Sequence, residues 1–109
     1  MSLLNRTSGA IIDIDGSKIY TGAGTFTLHT PSSGKYLLIS DIILSAQNDG
    51  IYQILVGGAV KRHIFLSANG GFVENRQIPI ITQKDETLQL KIVTASASCT
   101  ISATAEELG

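Results

Sequence analysis

The side chains that could do chemistry are few in this sequence, and they are widely spaced. Asp13, Asp15 and Gly16 form an Asp-x-Asp-Gly fragment that can begin a calcium-binding loop, because carboxylate oxygens suit that ion. The residues that follow supply no further ligands at the spacing of such a loop. The structural alternative is a strand that ends in an Asp-Gly turn. The sequence favours this alternative over a calcium site.

The residue types that bind zinc or act as nucleophiles are also scattered. His29 and His63 are the only histidines and Cys99 is the sole cysteine, and no Cys-x-x-Cys or His-x-x-x-His pairing occurs. A nucleophilic enzyme needs a base beside its Ser, Thr or Cys, and no Gly-x-Ser-x-Gly motif is present. A hydrolase would need a pocket that gathers Asp13 or Asp15 with a histidine. We therefore predict no catalytic site, no metal and no cofactor.

Charge gives little indication of a charged partner. The formal net charge is −1 and only 16% of the residues are charged, which argues against nucleic acid and against an anionic membrane surface as partners. Lys61-Arg62-His63 is the main basic concentration, and we interpret it as the solvated face of a strand. The longest hydrophobic run is four residues, too short for a membrane-spanning helix. The first residues lack the apolar core of a signal peptide, so we predict none.

The elements that must position these residues are β-strands, and residues 78–93 give the clearest example. Leu88, Leu90 and Ile92 alternate with polar residues, the period-two pattern of a strand with one buried face. The polar residues before Leu88 predict a turn. Pro79 lacks a backbone N–H, so the first half of this segment is expected at a sheet edge or a strand end.

The rest of the chain has the same character. Turn signals such as Asn48-Asp49-Gly50 separate short runs rich in Ile, Leu, Val and Thr, at spacings typical of an antiparallel sandwich. We therefore predict a single all-β domain over residues 1–109, an antiparallel two-sheet β-sandwich of jelly-roll or Greek-key type. Residues 1–8 are expected to be a flexible N-terminal arm, and Glu106 and Glu107 a solvated tail. The strands are predicted at residues 10–14, 18–20, 25–30, 35–47, 51–56 and 59–68, in two pieces within 78–93 that residues 72–77 lead into, and at 99–104.

The segment from Lys35 to Gln47 is apolar on both of its faces. Either a bulge near Ser40-Asp41 exchanges the two faces, or the second face is covered by another subunit. The second alternative predicts Leu37, Ile39 and Ile43 as subunit-interface residues.

Aromatic residues bear on carbohydrate binding, which commonly uses an exposed ring stacked on a sugar. The chain has three Tyr, three Phe and no Trp. Tyr36, Tyr52, Phe26 and Phe72 are expected in the core. Tyr20 and Phe65 are left as candidate ligand-facing rings.

About two thirds of the chain, from Lys35 to Glu107, resembles small β-sandwich structural proteins of tailed bacteriophages. In this pattern a Ser-Asp-Ile strand is followed by a hairpin, a Pro-Ile segment, a Gly-Asp-x-Leu segment and a Thr/Ser-rich last strand. Lys84 stands where the pattern usually has Gly. The segments that carry the resemblance are residues 37–44, 51–58, 78–81, 85–90 and 99–104.

The resemblance implies a non-enzymatic virion component, namely a capsid decoration, head-fibre or tail protein. It also implies a homo-oligomer, with a trimer favoured, and other virion proteins as partners. Such a protein is made in the bacterial cytoplasm and ends in the virion, and a single cysteine suits cytoplasmic synthesis. The alternative hypothesis is a carbohydrate-binding or receptor-binding module that recognises a host surface glycan.

Overall fold

The computed structural model describes residues 10–109, except for the side chains of residues 75–79. The predicted flexible arm, residues 1–8, lies outside the described residues. The described part of the chain contains strands and no helix, which confirms the all-β prediction. In chain order the strands are β1 (Ala10–Ile14), β2 (Ile19–Thr21), β3 (Gly24–His29), β4 (Tyr36–Ala46), β5 (Gly50–Val56), β6 (Ala59–Leu66), β7 (Gly71–Ile81), β8 (Leu88–Ile92) and β9 (Ser98–Leu108).

The strands form two antiparallel sheets that pack face to face, as predicted. Sheet A has five strands in the order β1-β9-β4-β7, with β2 also pairing with β9, and sheet B has four strands in the order β3-β8-β5-β6. From β2 to β9 the chain crosses between the sheets at every connection except the β5–β6 hairpin. This strand order is that of a jelly roll, one of the two predicted topologies. Within the described residues, no helix is long and apolar enough to cross a membrane.

Two short strands together make one edge of sheet A. β1 pairs with β9 from Ala103 to Glu107, and β2 pairs with β9 from Ser98 to Thr100. The turn between them lies at the intervening part of β9, where a Cβ added to Gly16 would come within 3.1 Å of the Cβ of Ser102. The other edge of sheet A is β7. Pro79 lies in this edge strand, where its missing N–H removes no bond between two central strands.

The core lies between the sheets and consists of residues that alternate along the long strands. Leu88, Leu90 and Ile92 of β8 are all buried, with at most 1% of each residue exposed, as their alternation predicted. Tyr52 is fully buried, and its hydroxyl donates to the carbonyls of Asn48 and Ser98 at 2.9 and 3.2 Å. The largest fully buried residues are Tyr52, Leu37, Ile39, Ile42, Leu44, Ile54, Leu88, Leu90, Ile92, Ile101, Val56 and Cys99.

A bulge in β4 explains why the sequence of this strand is apolar on both faces. The register of β4 shifts between Ile39 and Asp41 against both of its neighbours, β7 and β9. Before the bulge Leu37 and Ile39 are buried, and after it Ile42 and Leu44 are buried. The extra residue therefore keeps both halves of the strand directed at the same core. The bulge alternative is correct, and β4 needs no second subunit to cover its core residues.

Candidate functional site

The Asp-x-Asp-Gly fragment forms a local turn. The Asp15 carboxylate accepts hydrogen bonds from the backbone N–H and the hydroxyl of Ser17, at 3.0 and 2.8 Å. Asp13 lies in β1 and Asp15 lies beyond its end. Among the described residues, no group of three His, Cys, Asp or Glu side chains is placed to hold a metal ion.

The two histidines and the cysteine lie apart from one another. His29 ends β3 and its Nε2 lies 2.8 Å from a carboxylate oxygen of Glu107 in β9. His63 lies on the outer face of sheet B, where its Nδ1 is 2.9 Å from the Gln53 amide nitrogen. Cys99 is buried in the core of sheet A, and burial raises its pKa to about 11. The structure therefore brings none of these three side chains together.

Glu107 belongs to the body of the sandwich, and its prediction as part of a solvated tail is wrong. β9 continues to Leu108, and Glu107 is 7% exposed because its alternation places it on the inner side of sheet A. The hydrogen bond with His29 is the main reason that the pKa of Glu107 lies below its ordinary value, and the Ser32 N–H donates to the same oxygen at 3.3 Å. This contact ties β9 of sheet A to the end of β3 in sheet B.

Acid is expected to weaken the contact between Glu107 and His29. Because the pKa of Glu107 is lowered in the folded chain, its contribution to stability is present above the ordinary value of 4.5 and is lost as the pH falls through the lowered value. We expect the melting temperature of the wild type to fall more steeply below about pH 4.5 than that of Glu107→Gln or His29→Ala. Glu106→Gln, a neighbour on the opposite face, is the control and is expected to keep the wild-type profile. Parallel profiles for the wild type and Glu107→Gln would contradict the assignment.

The predicted interface residues of β4 divide into two groups. Leu37 and Ile39 are 0% and 1% exposed and face sheet B, so they have no surface to offer another subunit, and their prediction as interface residues is corrected. The bulge is the physical cause, because it places them on the core face together with Ile42 and Leu44. Ile43 faces the other way and is 45% exposed. Ile43 stays a predicted interface residue.

The two predicted ligand-facing rings differ in their exposure to solvent. Tyr20 is 8% exposed, because β2 pairs with β9 and turns the ring inward, where its centroid lies 5.2 Å from that of Phe26. The prediction of Tyr20 as an exposed ring is therefore wrong. Phe65 is 72% exposed on β6, an edge strand of sheet B, and stays a candidate ligand-facing residue.

Patch A, as we call it, is a surface on the outer face of sheet A. Ile43 of β4 pairs directly with Val73 of β7, and both are exposed. Farther along β7, Ile81 is exposed on the same face. Asp13 and Asp41 lie beside the apolar pair, and together these side chains line a cleft of about 250 Å³. Patch A consists of Asp13, Asp41, Ile43, Val73 and Ile81.

Patch B is a second surface, on the outer face of sheet B. Phe65 and Val60 of β6 are exposed, and Val93 is exposed immediately after β8. Lys91 is exposed between the buried Leu90 and Ile92, and Lys61 is exposed as the extra residue of a bulge in β6. Patch B consists of Val60, Lys61, Phe65, Lys91 and Val93.

Each patch includes residues of a strand at the same edge of the sandwich. β7 is the edge strand of sheet A and β6 is an edge strand of sheet B. Arg62 of β6 donates two hydrogen bonds to the two carboxylate oxygens of Glu74 in β7, at 2.7 and 2.6 Å. A bidentate pair of this kind fixes the two edge strands next to each other. We call this side of the molecule the β6–β7 edge.

The two sheets carry opposite charge. The strands of sheet B contain Lys61, Arg62 and Lys91 and no Asp or Glu. Two of the acids of sheet A, Glu74 and Glu107, are paired internally with Arg62 and His29. The strands of sheet A contain five acids and one base, namely Asp13, Asp41, Glu74, Glu106, Glu107 and Arg76.

Comparison with known proteins supports the fold and gives no family. No family model matches the chain, and no curated protein matches it. A chain of the cyanophage Pam1 capsid asymmetric unit is similar, with a TM-score of 0.56 and 12% identity over 93% of this chain and 86% of that one. A Bacillus endospore appendage that forms disulfide-linked pili has a TM-score of 0.51 and 13% identity, over 93% of this chain and 89% of that one.

An enzyme that carries a carbohydrate-binding module has a similar structure as well. The Podospora anserina GH26-CBM35 β-(1,4)-mannanase matches with a TM-score of 0.50 and 12% identity, over 94% of this chain and 26% of that one. Similar structures therefore include proteins of a phage capsid, of a pilus and of carbohydrate recognition. At these identities the likeness shows the jelly-roll fold that all of them share, because one such fold hosts many functions.

Proposed function

We propose that this chain is a non-enzymatic structural protein of a phage or prophage virion. It is a decoration, head-fibre or tail component that assembles through subunit interfaces, with a trimer favoured. The likeness to the Pam1 capsid chain, which extends over most of both chains, supports this class. The likeness to an appendage protein that forms pili supports assembly into a multi-subunit structure.

The observation that carries the proposal is patch A. Ile43, Val73 and Ile81 are 45%, 70% and 64% exposed, and Ile43 and Val73 pair with each other across β4 and β7. Ile43 and Val73 are adjacent exposed apolar side chains, and a contiguous apolar patch is typical of a surface that another protein covers. β7 also has an unpaired side, and a contact made there protects a sheet edge.

The solution mass tests the proposal directly. We expect light scattering coupled to size exclusion to give a multiple of the 11.5 kDa chain mass at micromolar protein. Val73→Asp places a charge in the apolar contact and is expected to shift the mass towards that of one chain. Ile19→Asp, which also replaces an exposed aliphatic residue of sheet A but on β2 at the opposite edge, is the matched control and keeps the wild-type mass.

A monomer in solution would favour the second candidate function, carbohydrate binding. Phe65 presents an exposed ring beside the polar pair of Gln53 and His63, an arrangement suited to stacking on a sugar and bonding its hydroxyls. A stable monomer that binds a glycan on a broad array, and loses that binding in Phe65→Ala, would contradict the assembly proposal. It would support a carbohydrate-binding module instead.

A further inference from the structure

We propose that patch A of one copy packs against patch B of the next copy, in a head-to-tail contact. This inference rests on the proposed assembly function and gives it a specific geometry. Another copy of this chain covers each patch, because every copy presents one patch A and one patch B.

Charge complementarity is the first argument. Patch A contributes Asp13 and Asp41, and the strands β1, β4 and β9 include no Lys or Arg. Patch B contributes Lys61 and Lys91, and the strands of sheet B include no Asp or Glu. A contact between two A patches or two B patches would place like charges together, which is unfavourable. Only the contact of A with B pairs each charge with its opposite.

Apolar matching is the second argument. Ile43 and Val73 form the apolar wall of the cleft that also holds Asp13 and Asp41. A lysine side chain has an apolar stem and a cationic end, so this cleft suits it, with the stem against Ile43 and Val73 and the ammonium group near the carboxylates. Phe65 and Val60 supply the apolar area of patch B around its lysines. Both surfaces therefore combine an apolar area with a charge of one sign.

The position of the patches is the third argument: they lie on the outer faces of different sheets, so a contact between them is head-to-tail. A head-to-tail contact gives an open filament unless the rotation between copies closes a ring. Val73 and Ile81 lie on β7 and Val60, Lys61 and Phe65 lie on β6, the two edge strands that the Arg62–Glu74 pair holds together. Each patch extends from there across its sheet, to Asp13 of β1 and to Lys91 of β8.

Charge reversal tests the contact from both sides. We expect Asp13→Lys with Asp41→Lys, and separately Lys61→Glu with Lys91→Glu, to raise the protein concentration at half-assembly by about a hundredfold. The chain with all four substitutions has both charges reversed, so the opposite signs face each other again. It is expected to assemble within about tenfold of the wild-type concentration. Light scattering over a dilution series measures each value, and circular dichroism confirms that each variant is folded.

The control is Lys18→Glu with Lys84→Glu, which reverses two exposed lysines outside both patches and is expected to leave assembly unchanged. If the wild type assembles and both double variants match it, the A-to-B contact is wrong and the assembly function stands. If the control loses assembly equally, or the folded fourfold variant does not recover it, the specific contact is likewise wrong. A wild type that stays monomeric at every concentration overturns the contact and the assembly function together.

Discussion

Insertion of one serine between Ile42 and Ile43 is expected to unfold the sandwich. The strand period is two residues, so the insertion turns Leu44 and Ala46 outward and brings Ile43 and Ser45 to the core face. Leu44 is 0% exposed, and removing such a side chain from a core costs about 2–5 kcal/mol. β4 lies between β9 and β7, so a new bulge there would disturb two ladders. Together with the burial of Ser45 and the two disturbed ladders, this loss is comparable to a typical total stability of about 5–15 kcal/mol, so we expect little folded protein.

Deletion of Ser40 is the matched control for this insertion. Without Ser40 the alternation of β4 runs unbroken, and Leu37, Ile39, Ile42 and Leu44 all stay on the core face. The variant loses the hydrogen bond from the Ser40 hydroxyl to the Thr104 carbonyl, which is 3.2 Å long, and we expect a cost of about 1 kcal/mol. Urea unfolding followed by circular dichroism gives both values. An insertion variant as stable as the deletion variant would show that the bulge does not determine which residues of β4 face the core.

Truncation of Leu90 to alanine is expected to lower the free energy of unfolding by about 2–5 kcal/mol. Leu90 is fully buried in β8, between β3 and β5, and it is opposite Phe26 on one side and Ile54 on the other. A cavity in the middle of sheet B removes contacts that the surrounding backbone cannot recover by collapsing. The urea midpoint at a fixed protein concentration measures the effect.

Gln89→Ala provides the comparison, because Gln89 precedes Leu90 in the same strand and faces outward. We expect it to change the free energy of unfolding by less than about 0.5 kcal/mol. Equal losses for the two variants would mean that the face of β8 has been assigned wrongly.

The alternation of apolar and polar residues was enough to predict the sheets, because this pattern depends only on residues that are neighbours in the sequence. The pattern of Leu88, Leu90 and Ile92 predicted both the strand and its buried face, and the first strand was predicted at residues 10–14, where β1 lies. The two-sheet architecture followed from many such short strands. For β4 the sequence left two explanations of its apolar faces. A bulge changes the register of a pairing, and pairing partners are not visible within one strand.

Contacts between distant residues explain what the sequence did not predict. Glu107 was expected in solvent because it lies near the chain end, and it is buried on the inner side of sheet A, where it pairs with His29, 78 positions away. Tyr20 was expected to be exposed, and its direction depends on pairing with Cys99 in β9. The two patches have the same origin. Asp13, Asp41, Lys61 and Lys91 are ordinary surface charges in the sequence, and their separation by sign appears only when the strands are sorted into sheets.

The burial of Cys99 gives the molecule a built-in reporter of its own motions. Its thiol is fully buried between β2 and β4, and the pKa of about 11 keeps it protonated near neutral pH. A thiol reagent therefore modifies the chain only during moments when this part of sheet A opens. Because it is the sole cysteine, the labelling rate refers to one known place. Assembly that stiffens sheet A would appear as slower labelling of Cys99.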